Sequence, residues 1–237
     1  EKLRQLHAQN IELQRLMSLV SLPKPFVIEF SGTPRTGKTT TINNLYDFFK
    51  KGGFDVSLIE EFTTSKTYKE KFKNKLNQMS LGDSNIVIIE EVYRQLQNAI
   101  SSGNEIILID RSINDRQMWN YRRYIHGDMP EEQYLAARDK FSAISKELID
   151  FLVITYADPL VSLKRDYLSS LALEPRRFLN VDNIEEYNNS LNALQSLLSK
   201  SVDSMAFFDT SDMSMSDVSI GVTSQILPVM RKKYIKV

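Results

Sequence analysis

The chain has 237 residues with 30 Lys plus Arg against 30 Asp plus Glu, so its formal net charge is zero and bulk electrostatics draw it neither to nucleic acid nor to an acidic membrane. It has no cysteine, which excludes disulfides and thiolate metal centres, and no run approaches the ~18 uninterrupted apolar residues of a membrane span. Ordinary hydrophobic (42%) and charged (25%) content with no visible leader predicts a cytoplasmic globular protein of one domain plus an appended element; because the first residue is Glu1, an upstream segment could be missing.

Residues 1–20 carry apolar side chains at Leu3, Leu6, Leu13, Met17 and Val20, a helical spacing interrupted by Asn10. Two readings are open: a helix packed on its own domain, or a short coiled-coil seam in which Asn10 sets the register and a second copy of the chain is the partner. Prolines 23 and 25 then stop the helix.

The next stretch is the most informative. An apolar run at residues 26–30 reads as a buried strand, and Ile42, Leu45, Phe48 and Phe49 follow at helical spacing, leaving a glycine-rich turn between them. Gly32, Gly37, Lys38 and Thr39 satisfy G-x-x-x-x-G-K-[ST]. That chemistry needs glycines so that backbone N–H groups can converge on phosphate, a lysine for the β/γ-phosphates and a hydroxyl for Mg²⁺. The expected nucleotide contacts run from Gly32 through Thr33, Pro34, Arg35, Thr36, Gly37, Lys38 and Thr39 to Thr40, with the helix dipole added.

Glycines 52 and 53 end that helix, and residues 54–59 alternate like a second strand, closing on Glu60 and Glu61. In an open α/β sheet, ligands lie beyond the carboxyl ends of strands, so either acid could be a general base; equally, both could solvate a loop. Residues 63–83 are lysine-rich and predict a mobile helix and loop with a solvated face. Residues 86–89 imitate a strand followed by two acids, yet Ile89, Val92, Leu96 and Ile100 continue at helical spacing and predict one buried helix.

Residues 105–110 predict a third strand that delivers Asp110 to the phosphate side of the sheet, where it can hold Mg²⁺. Arg111 follows, either gripping a phosphoryl group or forming an ion pair with a neighbour. The next helix carries Asp115, Arg116, Trp119, Tyr121, Arg122, Arg123 and Tyr124; Trp119 and Tyr121 suit an acceptor pocket or the core. A helix at 131–150, a strand at 151–156, a helix opened by Pro159, a helix at 183–201, a strand at 205–209 and a helix at 216–230 complete the chain. Arg165, Arg176 and Arg177 around a proline-marked break predict a flap over phosphates, or else a solvated cluster.

Strands alternating with helices imply a parallel sheet covered on both faces. From residue 26 to 230 the chain resembles the thymidylate kinase and deoxynucleoside kinase group of P-loop phosphotransferases. The resemblance rests on the loop Gly32 to Thr39, the acids Glu60 and Glu61, Asp110-Arg111-Ser112, the segment 156–165, Arg176-Arg177-Phe178 at the group's lid, and Phe208-Asp209-Thr210 at its adenine-side loop. It departs from the group in the loop interior 33–36, in Ser112 where thymidylate kinases carry tyrosine, in Asp110 where deoxynucleoside kinases carry glutamate, and in Phe62 where a proline is usual. The resemblance implies an α/β three-layer P-loop NTPase fold, a five-stranded parallel sheet in the order 2-3-1-4-5. Residues 1–25 would then be a helical extension and linker, and residues 26–237 a kinase-like domain with a lid at about 165–180.

The expected function is transfer of the γ-phosphoryl group of ATP, with Mg²⁺, to a small acceptor such as a nucleoside or nucleoside monophosphate. Lys38, Glu60, Glu61, Arg111, Arg165, Arg176 and Arg177 would do the catalytic work, and Thr39 and Asp110 would hold the metal. The alternatives are a P-loop ATPase acting as a switch on a protein partner, and a kinase of another small molecule. Membrane partners are not expected, and the balanced charge disfavours nucleic acid.

Overall fold

Five short runs rich in β-branched and aromatic residues pair into one parallel sheet in the order β2-β3-β1-β4-β5. The strands are β1 (Phe26–Gly32), β2 (Val56–Ile59), β3 (Ile106–Asp110), β4 (Phe151–Tyr156) and β5 (Met205–Asp209). The structure is a computed structural model that describes residues 1–19, 24–61, 68–76, 78–170 and 179–234. Its helices are α1 (Lys2–Met17), α2 (Lys38–Lys51), α3 (Lys73–Leu76), α4 (Leu81–Ser101), α5 (Ile113–Ile125), α6 (Glu131–Leu148), α7 (Pro159–Ser170), α8 (Val181–Ser201) and α9 (Met215–Tyr234). None of them is long and apolar enough to cross a membrane.

The strand period of two divides the core. Val27, Ile107, Ile109, Leu152 and Ile154 face one side, where they pack with residues of α4, α5, α6 and α8. Phe26, Ile28, Phe30, Ile106, Leu108, Phe151 and Val153 face the other, against α1, α2 and α9. Burial on both faces is why these strands read as continuous apolar runs, the mark of a parallel sheet. The register places Phe30 beside Asp110 and Gly32 beside Thr155, so the ends of β1, β3 and β4 meet at one edge.

Helix α1 buries Leu6, Leu13 and Met17 in the second cluster and lies along α9. Its Asn10 is also buried and sits over the end of α2, where a Cβ built on Gly52 would lie 2.1 Å from the Asn10 amide nitrogen. The coiled-coil reading thus gives way to packing on the chain's own core: three of the five apolar positions of that stripe are sealed there.

Boundaries moved where local chemistry outweighed the apolar pattern. The helix expected at 86–100 begins at Leu81, because Ser80 caps it by accepting from the Asp83 N–H at 3.1 Å. The second strand is shorter than 54–59. Phe54 turns into the core edge-on to Phe49, and the Asp55 carbonyl takes the N–H groups of Glu105 and Ile106. Within the lysine-rich stretch the described backbone is a π turn at Tyr68–Phe72 followed by α3.

Candidate active site

Local sterics force the loop between β1 and α2. Gly32 has φ +126°, and a Cβ there would sit 1.8 Å from the Thr155 carbonyl oxygen; Gly37 has φ +88°, and its Cβ would meet the Met215 sulfur at 2.4 Å. At Gly32 the Thr155 backbone leaves no room for a side chain, and at Gly37 the left-handed φ disfavours one while the Met215 side chain could give way, so the loop presses against β4 and lies under the start of α9. Arg35 takes the left-handed region at φ 60° between them. The side chains of Thr33 and Thr36 turn inward: the Thr36 hydroxyl donates to the Thr33 carbonyl and shares a 2.6 Å bond with the Thr155 hydroxyl. What the loop presents outward is therefore its backbone and the open end of α2.

Lys38, expected to reach phosphates, does not extend freely from the loop. It is buried, and its ammonium donates to the carbonyls of Gly32 at 3.1 Å and Thr33 at 2.5 Å, tying the loop to itself. Burial, reinforced by the charge of Arg111, pulls its pKa down to about 7, against the opposing pull of Asp115, Asp110 and Glu61. At the edge of the sheet the Thr39 hydroxyl donates to the Asp110 carboxylate at 2.7 Å, so two hard oxygen ligands from α2 and β3 already converge.

Arg111 follows at φ 56°, its N–H held by the Phe30 carbonyl at 2.9 Å. Its guanidinium reaches the Asp115 carboxylate at 3.0 Å and stands 3.7 Å from Glu61. One oxygen of Asp115 also accepts from the Ser31 hydroxyl at 3.1 Å and the Tyr187 hydroxyl at 2.7 Å. Burial works against this carboxylate, but Arg111, Tyr187, Lys38 and Arg116 outweigh it and hold its pKa below the usual carboxylate value. Burial and the Asp115 charge together push the Tyr187 phenol well above its ordinary range.

A second buried carboxylate lies beneath this corner. Glu29 shares its face of β1 with Ser31, and it accepts from the backbone N–H groups of Ser112, Asn114 and Asp115 and from the Asn114 side chain. It therefore caps α5 from inside the sheet and fixes the turn that carries Arg111. Burial raises its pKa to about 7, although the Asn114 donors pull downward.

These groups open onto a cleft of about 370 Å³ lined by Pro34, Arg35, Gly37, Lys38, Thr39, Thr40, Glu61, Asp110, Arg111 and Leu179. Another hollow, of about 390 Å³, lies between α1, α2 and α9, but its lining of Leu3, Leu6, Leu45, Phe48 and Ile220 with small polar groups and His7 offers a phosphate no lysine or arginine.

The other expected residues fall differently. Glu60 is exposed and does not line the cleft. Arg165, expected over the transferring group, instead donates to the Thr210 carbonyl at 2.5 Å and its hydroxyl at 3.0 Å, clamping α7 to the end of β5. Arg35 pairs with Asp166 on α7. Arg176 and Arg177 lie outside the described residues. Trp119 packs edge-on to Tyr187 and Tyr121 against Tyr134, both beside the core, so neither lines this cleft.

Comparison with protein families places residues 27–162 in an AAA domain. The chain belongs to the AAA-domain family of P-loop NTPases. No curated protein matches it. The AAA-domain match begins in β1 and ends in the first turn of α7, so it contains the P-loop, Glu61, Asp110, Arg111 and Asp115. Tyr187, which completes the Asp115 cluster, comes from beyond it.

Sequence reasoning named Lys38, Thr39, Glu61, Asp110 and Arg111, which share the cleft, but not Glu29, Ser31 or Tyr187. Glu29 did carry a signal, a lone charge inside an apolar strand. Tyr187 sits in a helix of ordinary composition and carried none.

Proposed function

We propose that this P-loop NTPase is an ATP-dependent phosphotransferase that moves the γ-phosphoryl group to a small acceptor, a nucleoside or nucleoside monophosphate. The observation that carries this reading is the wall that Glu61 and Arg111 form beside Lys38, with Asp115 and Tyr187 buried behind Arg111 to hold it, beyond the carboxyl ends of β2 and β3. An acceptor needs such a wall; a water molecule does not.

The residues fit the nucleotide and metal that P-loop NTPases employ. Thr39 and Asp110 would hold Mg²⁺, which neutralises charge on the β- and γ-phosphoryl oxygens, while the loop amides and Lys38 would cradle the phosphates. Arg111 would meet the charge that spreads over the transferring group, kept in place by Asp115 and by the cap that Glu29 provides. Glu61, 3.7 Å from Arg111, would orient or deprotonate the acceptor hydroxyl.

The test is ADP release from ATP with nucleosides and nucleoside monophosphates supplied in turn. Stimulation of at least about tenfold over the water rate by one acceptor is expected, a barrier difference of ~1.4 kcal/mol. If no acceptor stimulates release while ATP hydrolysis proceeds, the protein is a switch of the ATPase kind and the phosphotransferase reading falls.

Asp110→Asn preserves volume and the Thr39 contact but removes the anion. It should lower Mg²⁺-dependent turnover by about tenfold or more and raise the Mg²⁺ concentration needed for half-maximal rate. An unchanged Mg²⁺ titration would make Asp110 structural.

A further inference from the structure

Helix α5 carries three arginines, and among the described residues only Arg122 is paired. Arg122 forks onto Glu186 at 3.1 and 3.0 Å, donates to Asn183 and stacks on Trp119. Arg116 and Arg123 make no side-chain hydrogen bond and no ion pair among the described residues, and one terminal nitrogen of Arg123 is fully buried. They stand seven residues apart, on one helical face and about 10 Å along it.

Burial lowers the pKa of both; the Arg116 charge adds repulsion at Arg123, and Arg111 adds it at Arg116. The carboxylates within reach do not settle the account. Asp115 is engaged by Arg111, Ser31 and Tyr187, Glu61 stands against Arg111, and Asp128 is exposed. Two like charges partly withdrawn from water, with no hydrogen-bonded carboxylate of their own among the described residues, are costly, and a fold retains them where an anion completes the site.

Between the two arginines on the same face lies Asn120, 1% exposed, whose carbonyl oxygen accepts from the equally buried Asn85 of α4 at 2.6 Å. The Asn120 amide nitrogen and the Asn85 amide oxygen have no partner, leaving one donor and one acceptor buried together. Tyr68 lies within electrostatic reach of both arginines, and Glu61 within reach of Arg116, so this face leads back to the phosphoryl side of the cleft.

We infer that Arg116 and Arg123 form an oxyanion subsite, flanked by the Asn85–Asn120 amide pair, that takes a small molecule bearing a phosphate or carboxylate group together with a hydrogen-bonding polar edge. This inference rests on the proposed acceptor site but concerns binding and not transfer. It requires an anionic acceptor over its neutral parent.

The experiment is calorimetric titration of the protein saturated with Mg²⁺ and a non-hydrolysable ATP analogue, so that the P-loop itself is filled. The probes are inorganic phosphate, succinate, nucleoside 5′-monophosphates and their parent nucleosides. A monophosphate or a dicarboxylate is expected to bind at least about tenfold more tightly than its neutral counterpart, the scale of one charge-assisted contact. Arg116→Gln and Arg123→Gln should each remove about tenfold of that affinity while leaving binding of the neutral counterpart within about twofold, and the lysine variants should retain part of it.

Each glutamine variant should also melt at a higher temperature than the parent when free of ligand, because it relieves a partly desolvated charge without an ion-pair partner among the described residues. Phosphate preference over succinate identifies a phosphoryl ligand, and the reverse a carboxylate. Equal affinity for charged and neutral probes, no binding of any anion, or variants that melt lower and weaken all probes alike would each overturn the subsite. Anion binding that depends on these arginines, in a protein whose ADP release no acceptor stimulates, would sink the phosphotransferase reading and leave the subsite standing.

Discussion

Lys38→Met is expected to lower any ATP turnover by about a hundredfold or more, the scale of a lost charge-stabilising donor in a water-poor site. The buried environment adds a pH signature that an exposed lysine would lack. With its pKa at about 7 in the folded protein against an ordinary lysine value of 10.5, the unfolded chain holds more protons between those limits, so this group makes stability rise with pH across that window. Phosphate reverses the preference, because an anion beside the ammonium favours its charged form. Nucleotide binding above pH 7 must then take up a proton, and affinity should weaken with rising pH by up to about tenfold per unit. Titration calorimetry in buffers of different ionisation enthalpy reads that proton directly. Lys38→Met should abolish the uptake and flatten the profile. A parent protein that binds nucleotide with no proton uptake at pH 8 would show that Lys38 stays charged without phosphate, and the burial argument would fail.

Much of the architecture was legible because its signals are local. The P-loop is set by two glycines at positive φ, one of them pressed against the Thr155 backbone where no Cβ fits, and Asp110 sits at the end of an apolar run that reads as a buried strand. Helix α4 was separable from its strand-like opening because the apolar period held for about three turns, from Ile89 to Ile100. What the sequence concealed is tertiary. Arg165 has the composition of a phosphate-binding flap residue, yet Thr210, 45 positions away, takes both of its bonds. Lys38 looks exposed by type and is buried by the loop that folds back over it. The partners of Asp115 come from β1, from the turn after β3 and from α8, and no window of sequence contains all of them.

That dispersion makes the Arg111–Asp115 pair the second large effect, one that separates holding the fold from doing chemistry. Asp115→Asn keeps an acceptor for the Ser31 and Tyr187 hydroxyls but leaves the Arg111 guanidinium, only 14% exposed, without its main counter-charge. Breaking a buried pair from one side costs about 3–5 kcal/mol, so urea unfolding at pH 7 should show a loss of that order. Arg111→Met alone should cost a comparable amount by stranding the carboxylate. The double variant Arg111→Met with Asp115→Asn removes both charges, and it should recover at least half of either single loss, since no uncompensated ion remains. Turnover should not follow: if Arg111 meets the transferring phosphoryl group, the double variant stays at least about a hundredfold below the parent although its fold is restored. Stability losses that simply add would mean that the two side chains are held by other partners. A refolded double variant with normal turnover would leave Arg111 as a brace for α5 and remove it from the chemistry altogether.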